Sequence, residues 1–173
     1  KFNVNANISI PINSAHKMFY KTSLTKLKLD NINTSQVKDM SYMFAQNELL
    51  ESLDISTLNT SQVIYMNNMF QDCRLLSSLN LSNFNTENVK NMSYMFNHCH
   101  SLISIDFSNI NTSQVTDMSH LFAYNYNMTK VNLENVETNK VTDMSLMFYE
   151  CQSIKTLDIS SFDTSNVTNM YRM

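Results

Sequence analysis

A 26-residue repeat constrains the fold of this chain more than any other feature. One position of the repeat is always valine, and consecutive valines are 26 residues apart: Val37, Val63, Val89, Val115, Val141 and Val167. A fixed period of roughly 20–50 residues is typical of solenoids, in which each unit stacks only on its neighbours. The sequence therefore predicts a repetitive solenoid over residues 24–173, with the last unit incomplete. It also predicts a separate N-terminal cap over residues 1–23.

The first half of each unit has the spacing of a helix. In the first full unit, Val37, Met40, Met43 and Phe44 are three or four residues apart or adjacent, which places them on one face of a helix of about two turns. Thr34 precedes this segment, and a threonine hydroxyl at that place can cap the helix by accepting a hydrogen bond from a free N–H. We therefore expect one short helix in every unit.

The second half of each unit alternates like a strand. Leu53 and Ile55 alternate with the polar Asp54 and Ser56. The fold class predicted is α/β: a leucine-rich-repeat-like solenoid with a parallel sheet of short strands on one side and short helices on the other. Residues 2–12 also alternate, which predicts an N-terminal β cap.

Glycine is absent, whereas Asn occupies 25 positions. Asn tolerates positive φ better than other non-glycine residues, so we expect it to take the turns that glycine usually occupies. Cys73, Cys99 and Cys151 share one position of the unit with Asn47 and Asn125. This pattern predicts a buried ladder in which Asn or Cys bonds to loop backbone. A Cys73–Cys99 disulfide is also within reach, so the state of these thiols stays open.

Composition excludes several functions. A net charge of −3 argues against nucleic-acid and membrane-surface partners, and no apolar run approaches the roughly 18 residues of a spanning helix. The chain has no catalytic triad, phosphate-loop, dinucleotide-binding or zinc-protease motif, so we predict no enzyme activity and no cofactor. His98 and His100 flank Cys99 and suggest a metal site, but we expect solvated loop histidines and no bound metal.

Positions that differ between units are free to recognise a partner. They concentrate between the predicted helix and strand, where tyrosines in adjacent units suit a protein interface. A second candidate surface is the outer face of the sheet, whose oxygens could bind a sugar or calcium or form a structural ladder. The predicted partner-binding residues are Arg74, Tyr124, Tyr126, Tyr149, Asp54, Asp106, Lys130 and Asp158.

Two phrases of the repeat carry a family resemblance. They are Ile110-Asn111-Thr112-Ser113-Gln114-Val115-Thr116-Asp117-Met118-Ser119 and Met95-Phe96-Asn97-His98-Cys99-His100-Ser101-Leu102. The chain resembles the BspA-type leucine-rich repeat, in the variant found in surface proteins of mycoplasmas and several Firmicutes. The resemblance implies an extracellular or cell-surface location and a role in adhesion. The chain departs from that pattern by having no glycine after Met-Phe and no visible anchor.

The leading functional prediction is an extracellular adhesion module that binds a host or cell-surface protein, or a glycan, through the solenoid surface. The first alternative is a structural spacer that associates end to end with other copies. The second alternative is the non-catalytic repeat region of a secreted effector.

Overall fold

The computed structural model describes residues 12–30 and 32–173, and it corrects the predicted fold class. The described residues contain no helix and four short strands: β1 (Lys26–Lys28), β2 (Ser52–Asp54), β3 (Ser104–Asp106) and β4 (Lys130–Asn132). β1 pairs in parallel with β2, and β3 with β4, in two separate two-stranded sheets. The predicted leucine-rich-repeat-like solenoid, with helices on one side and a continuous sheet on the other, is wrong. Most of the described chain consists of turns and irregular backbone.

The predicted helices are absent because their backbone groups bond to the next unit. Met40, Tyr42 and Phe44 donate their N–H groups to carbonyls of residues 65, 67 and 69, at 2.9 to 3.1 Å. The backbone also enters the left-handed region at Tyr42 (φ 56°) and Gln46 (φ 58°), which breaks any run of helical dihedral angles. The spacing correctly predicted which side chains face the core. The helix it implied would have formed hydrogen bonds within the unit, whereas the structure forms them between units.

Parallel contacts between units occur where the helices were expected. Single-residue bridges connect the equivalent residues Asp39, Tyr65, Asn91, Asp117, Asp143 and Asn169 in succession. In the predicted strand half, the segments near residues 79–81 and 157–159 form no strand, so pairing there covers only two pairs of units. Backbone hydrogen bonds thus join successive 26-residue units mainly along the first half of the unit.

A row of stacked phenylalanines runs through the core. Neighbouring ring centroids are 5.2 to 5.9 Å apart and the rings lie within 17° of parallel. The members are Phe19, Phe44, Phe70, Phe96, Phe122 and Phe148. Five of the six repeat valines, all except Val167, and most of the methionines are buried around this row. Burial of apolar area is the main favourable term in folding, so these residues supply most of the stability.

The abundance of Asn has a different cause from the one predicted. Asn68 and Asn135 are the only asparagines among the described residues with positive φ; Tyr, His, Lys and other residues take most of these positions. Many asparagines and aspartates instead accept a hydrogen bond from the backbone N–H two residues later. Asn33 accepts from Ser35 at 3.1 Å, and Asp39 from Ser41 at 2.8 Å. Such turns recur in each unit and explain the Asn-x-Ser and Asp-x-Ser pairs.

The threonines predicted as helix caps connect neighbouring units instead. The Thr60 hydroxyl donates to the carbonyl of Asn85 at 2.9 Å and accepts from its N–H at 2.8 Å. Thr34 and Thr138 make the same pair of bonds to Asn59 and Asp163. The threonine side chain is buried, at 2% exposed for Thr60. The predicted N-terminal strand over residues 2–12 falls, except for Ile12, outside the described residues.

Candidate functional site

The Cys and Asn ladder is structural, as predicted. Cys73 and Cys99 donate their thiols to the carbonyls of Phe44 and Phe70, at 3.2 and 3.1 Å. Asn125 donates its amide to two carbonyls at 2.7 and 2.9 Å. The thiols are free and burial raises their pKa, that of Cys73 to about 12. A thiol that burial keeps protonated inside the core is a poor nucleophile, so Cys73 and Cys99 serve the structure.

The predicted tyrosines come together on the surface. The rings of Tyr124 and Tyr149 lie 5.3 Å apart and those of Tyr124 and Tyr126 lie 6.4 Å apart, both edge to face. His98 stacks on Tyr124 at 4.3 Å, and His100 lies 5.0 Å from Tyr126. We call these five residues the aromatic row. The aromatic row crosses three consecutive units. The contacts between neighbouring rings fix their orientations.

The two histidines are more enclosed than the sequence suggested. His98 Nδ1 and His100 Nε2 are 3.1 Å apart, within hydrogen-bond distance, and both residues are half-buried. The prediction of solvated loop histidines holds only in part, because ring stacking against the next unit covers part of each ring. Burial lowers the pKa of both imidazoles, and nearby Arg74 lowers it further. Both are predominantly neutral at pH 7 and act as aromatic rings in the row.

Arg74 lies beside the aromatic row but is engaged within the chain. Its guanidinium donates to Asp72 Oδ1 at 3.0 and 3.2 Å and is 3.4 Å from Glu48 Oε1. These contacts fix the orientation of a planar, partly exposed donor group. Arg74 therefore provides a preordered polar edge to the surface.

Three exposed aliphatic residues, in the units that begin at Val37, Val63 and Val89, were missed in the sequence. Leu49, Leu75 and Ile103 are 50%, 44% and 49% exposed. Leu75 directly follows Arg74, and Arg74 occupies the same position of the unit as His100 and Tyr126. The sequence did contain a sign that this position is exposed: it is Leu49 and Leu75 in two units but the polar Ser101, Asn127 and Ser153 in the next three. We call the aromatic row, Arg74 and these three residues the contact surface.

The predicted residues on the outer face of the sheet do not form one site. Asp54 is in β2, where it accepts hydrogen bonds from Ser56. Asp106, at the end of β3, accepts from Asn132 at 3.0 Å. Lys130 and Asp158 line a common groove beside β4, away from Asp54. The structure thus separates these four residues into local turns and one groove.

Among residues 12–30 and 32–173 there is no group of three or more His, Cys, Asp or Glu side chains arranged to hold a metal ion. Nor does this part of the chain contain a helix that could cross a bilayer.

Comparison with known proteins identifies a family. A family model described as "Mycoplasma protein of unknown function, DUF285" matches residues 13–130 and again residues 102–173. No curated protein and no solved structure matches the chain. The two matched ranges together span nearly all of the described residues.

Proposed function

Because this chain belongs to the DUF285 family of Mycoplasma proteins of unknown function, we propose its role from its surface: it is a protein-interaction module. In this proposal the contact surface binds a host or other cell-surface protein outside the cell. The similarity of the repeat phrases to BspA-type surface proteins supports the extracellular location and the role in adhesion.

The observation that carries the proposal is the ordered aromatic row with exposed aliphatic neighbours. Tyrosine is favoured at interfaces because it gives a large rigid contact area and a polar tip at low entropic cost. Here the rings are held by each other before any partner arrives. Leu49, Leu75 and Ile103 extend the apolar area, and Arg74 adds an oriented donor. Such a centre with a polar edge is the usual anatomy of a protein interface.

The test is saturable binding of the labelled chain to cultured host cells and to extracellular matrix proteins. Tyr124→Ala and Tyr126→Ala should each weaken binding by at least about tenfold, as expected for central aromatic anchors. Tyr65→Ala is the matched control, since Tyr65 is 47% exposed and lies outside the contact surface. Circular dichroism spectra must match those of the unsubstituted chain.

Two results would reject this proposal. One is the absence of saturable binding to any of these targets. The other is equal loss of binding in Tyr124→Ala and Tyr65→Ala, because the contact would then not depend on the aromatic row.

A further inference from the structure

The stretch after Tyr126 and the equivalent stretch after Ser153 in the next unit are joined at both ends but not between them. Ser153 donates its hydroxyl to the carbonyl of Tyr126 at 2.6 Å, and the N–H of Asp163 donates to the Thr138 hydroxyl at 2.7 Å. Between these two points, no backbone hydrogen bond joins the described residues 127–137 to 154–162. The equivalent stretch of the preceding pair of units contains the β3–β4 ladder.

A groove with a volume of about 680 Å³ occupies this opening. β4 forms one wall, Thr156–Ser161 the other, and the half-buried Val131 and buried Leu133 contribute apolar area. A smaller hollow of about 420 Å³ continues it past Asn135 and Ser161 toward Asp163. β4 pairs with β3 on one side only, so its other edge presents unpaired backbone groups to the groove.

The same opening beside β2 is bridged by a side chain. Residues 78–81 also form no backbone ladder with β2. There, the Asn83 amide lies 3.1 to 3.4 Å from the carbonyls of Ile55, Ser56 and Leu58 and spans the gap. Ser161 occupies the position of Asn83 beside β4, and its short side chain makes no such bridge within the described chain. The outer edge of β2 also lacks a paired strand, and the Asn83 bridge just past β2 distinguishes that opening from the groove beside β4.

The groove is lined mainly by acidic side chains, which favours a basic ligand. Lys130 is the single basic residue lining the two hollows, which also contain four exposed carboxylates: Glu134, Glu137, Asp158 and Asp163. None of these carboxylates forms an ion pair with another described residue. No aromatic ring lines the groove, so a sugar would find no surface on which to stack.

We infer that this groove binds an extended basic peptide segment, which adds as a strand to the free edge of β4. Backbone hydrogen bonds to β4 supply the affinity, as in other cases of strand addition. Successive side chains of a strand point to opposite faces. In the bound peptide, every second side chain therefore faces Val131 and Leu133, and the side chains between them face the carboxylates. The proposed occupant therefore alternates apolar with Lys or Arg residues. This site shares no residue with the contact surface.

The experiment uses fluorescence anisotropy with labelled heptapeptides and the full chain. A peptide that alternates lysine and valine should bind with a dissociation constant on the order of 100 µM. A peptide that alternates glutamate and valine should not bind. Two further lysine peptides carry N-methyl groups at odd or at even positions, which removes the donors along one edge. One of the two should lose binding, since only one peptide edge faces β4.

A charge-neutralised variant locates the site. Each of its four substitutions introduces a residue that another unit has at the same position: Glu134→Ser, Glu137→Asn, Asp158→Asn and Asp163→Asn. The lysine peptide should bind this variant about tenfold more weakly, since each exposed pair contributes a fraction of the total. The control removes four carboxylates outside the groove, again with residues from other units, and should change binding by less than about twofold: Asp39→Asn, Glu51→Ser, Asp54→Asn and Glu87→Ser.

Four outcomes would overturn the inference: no binding of the lysine peptide at millimolar concentration; equal binding of lysine and glutamate peptides; full binding of both N-methylated peptides; or equal weakening in the two variants. Loss of cell binding in Tyr124→Ala with peptide binding intact would keep this inference separate from the proposed function.

Discussion

Truncation of one ring of the phenylalanine row gives the most direct test of the core. Phe96 is completely buried and contacts three other rings, with centroids 5.2 Å from Phe70 and 5.9 Å from Phe107 and Phe122. Phe→Ala substitutions in cores cost about 3–5 kcal/mol, and aromatic pairs add about 0.5–1.5 kcal/mol beyond the buried area. Phe96→Ala should therefore lower the free energy of unfolding by about 4–5 kcal/mol, at the upper end of that range.

Phe148 provides the comparison within the same row. It is only partly buried and contacts a single ring, that of Phe122 at 5.6 Å. Phe148→Ala should cost roughly half as much, about 2 kcal/mol, because it loses less buried area and fewer ring contacts. Urea unfolding followed by circular dichroism measures both values, provided that the slope against urea is unchanged. If Phe96→Ala does not fold, Phe96→Leu should still fold at a cost of about 1.5 kcal/mol. Equal losses at Phe96 and Phe148 would refute the argument from ring contacts.

Three further predictions concern hydrogen bonds, thiols and pH. Thr60→Val keeps the shape but removes both bonds to Asn85, so urea unfolding should show a loss of about 1–3 kcal/mol. Burial raises the pKa of Cys73 to about 12 and that of Cys151 to about 11. In a titration with a thiol reagent at pH 8, the half-buried Cys151 should react first, and Cys73 only after urea is added. Stability should fall on acidification in two stages. Burial lowers the pKa of three imidazoles, so below about pH 6.5 the unfolded chain binds more protons than the folded chain and the folded state loses stability. Hydrogen bonds from serines lower the pKa of four carboxyls, so the folded state loses further stability below about pH 3.8 for the same reason. Urea midpoints at pH 7, 5 and 3.5 should decrease in that order. These groups are His98, His100, His120, Asp54, Asp106, Asp158 and Asp163.

The sequence predicted which side chains are inside but not how the backbone is bonded. Val37, Met40, Met43 and Phe44 are fully buried, as their spacing indicated. That spacing fits any conformation that returns the chain to the same face every three or four residues. A pair of left-handed residues four positions apart does this as well as a helix, and no glycine marks them. The decisive hydrogen bonds run to another unit, and local periodicity contains no information on them.

The residues of the candidate site were also only partly predictable from the sequence. The tyrosines could be found because they interrupt the repeat at variable positions, and the structure brings Tyr124, Tyr126 and Tyr149 together. Leu49 and Leu75 were overlooked because each precedes a buried leucine, which made the pair look like core. The groove beside β4 could not be predicted, since it forms where two neighbouring units lack backbone hydrogen bonds, and local periodicity does not report pairing between units.

Positive φ at the position of His98 and Tyr124 belongs to the repeat, since Gln46, Asp72 and Glu150 share that position and that conformation. His98 and Tyr124 have φ values of 59° and 61°, at a position where a side chain with a Cβ costs about 1–2 kcal/mol relative to glycine. Asn68 shows that this chain can place asparagine at a left-handed position, with φ of 59°. Asn would serve the turn at least as well as Tyr or His, because it tolerates this region better. The conformation of the turn therefore does not explain why aromatic residues occupy these two positions. They pack on each other across units, but His98 and Tyr124 remain partly exposed, so they stabilise neighbouring units less than buried rings do. Aromatic side chains held in fixed, partly exposed positions are what the proposed contact surface requires, because preordered side chains lose less entropy on binding.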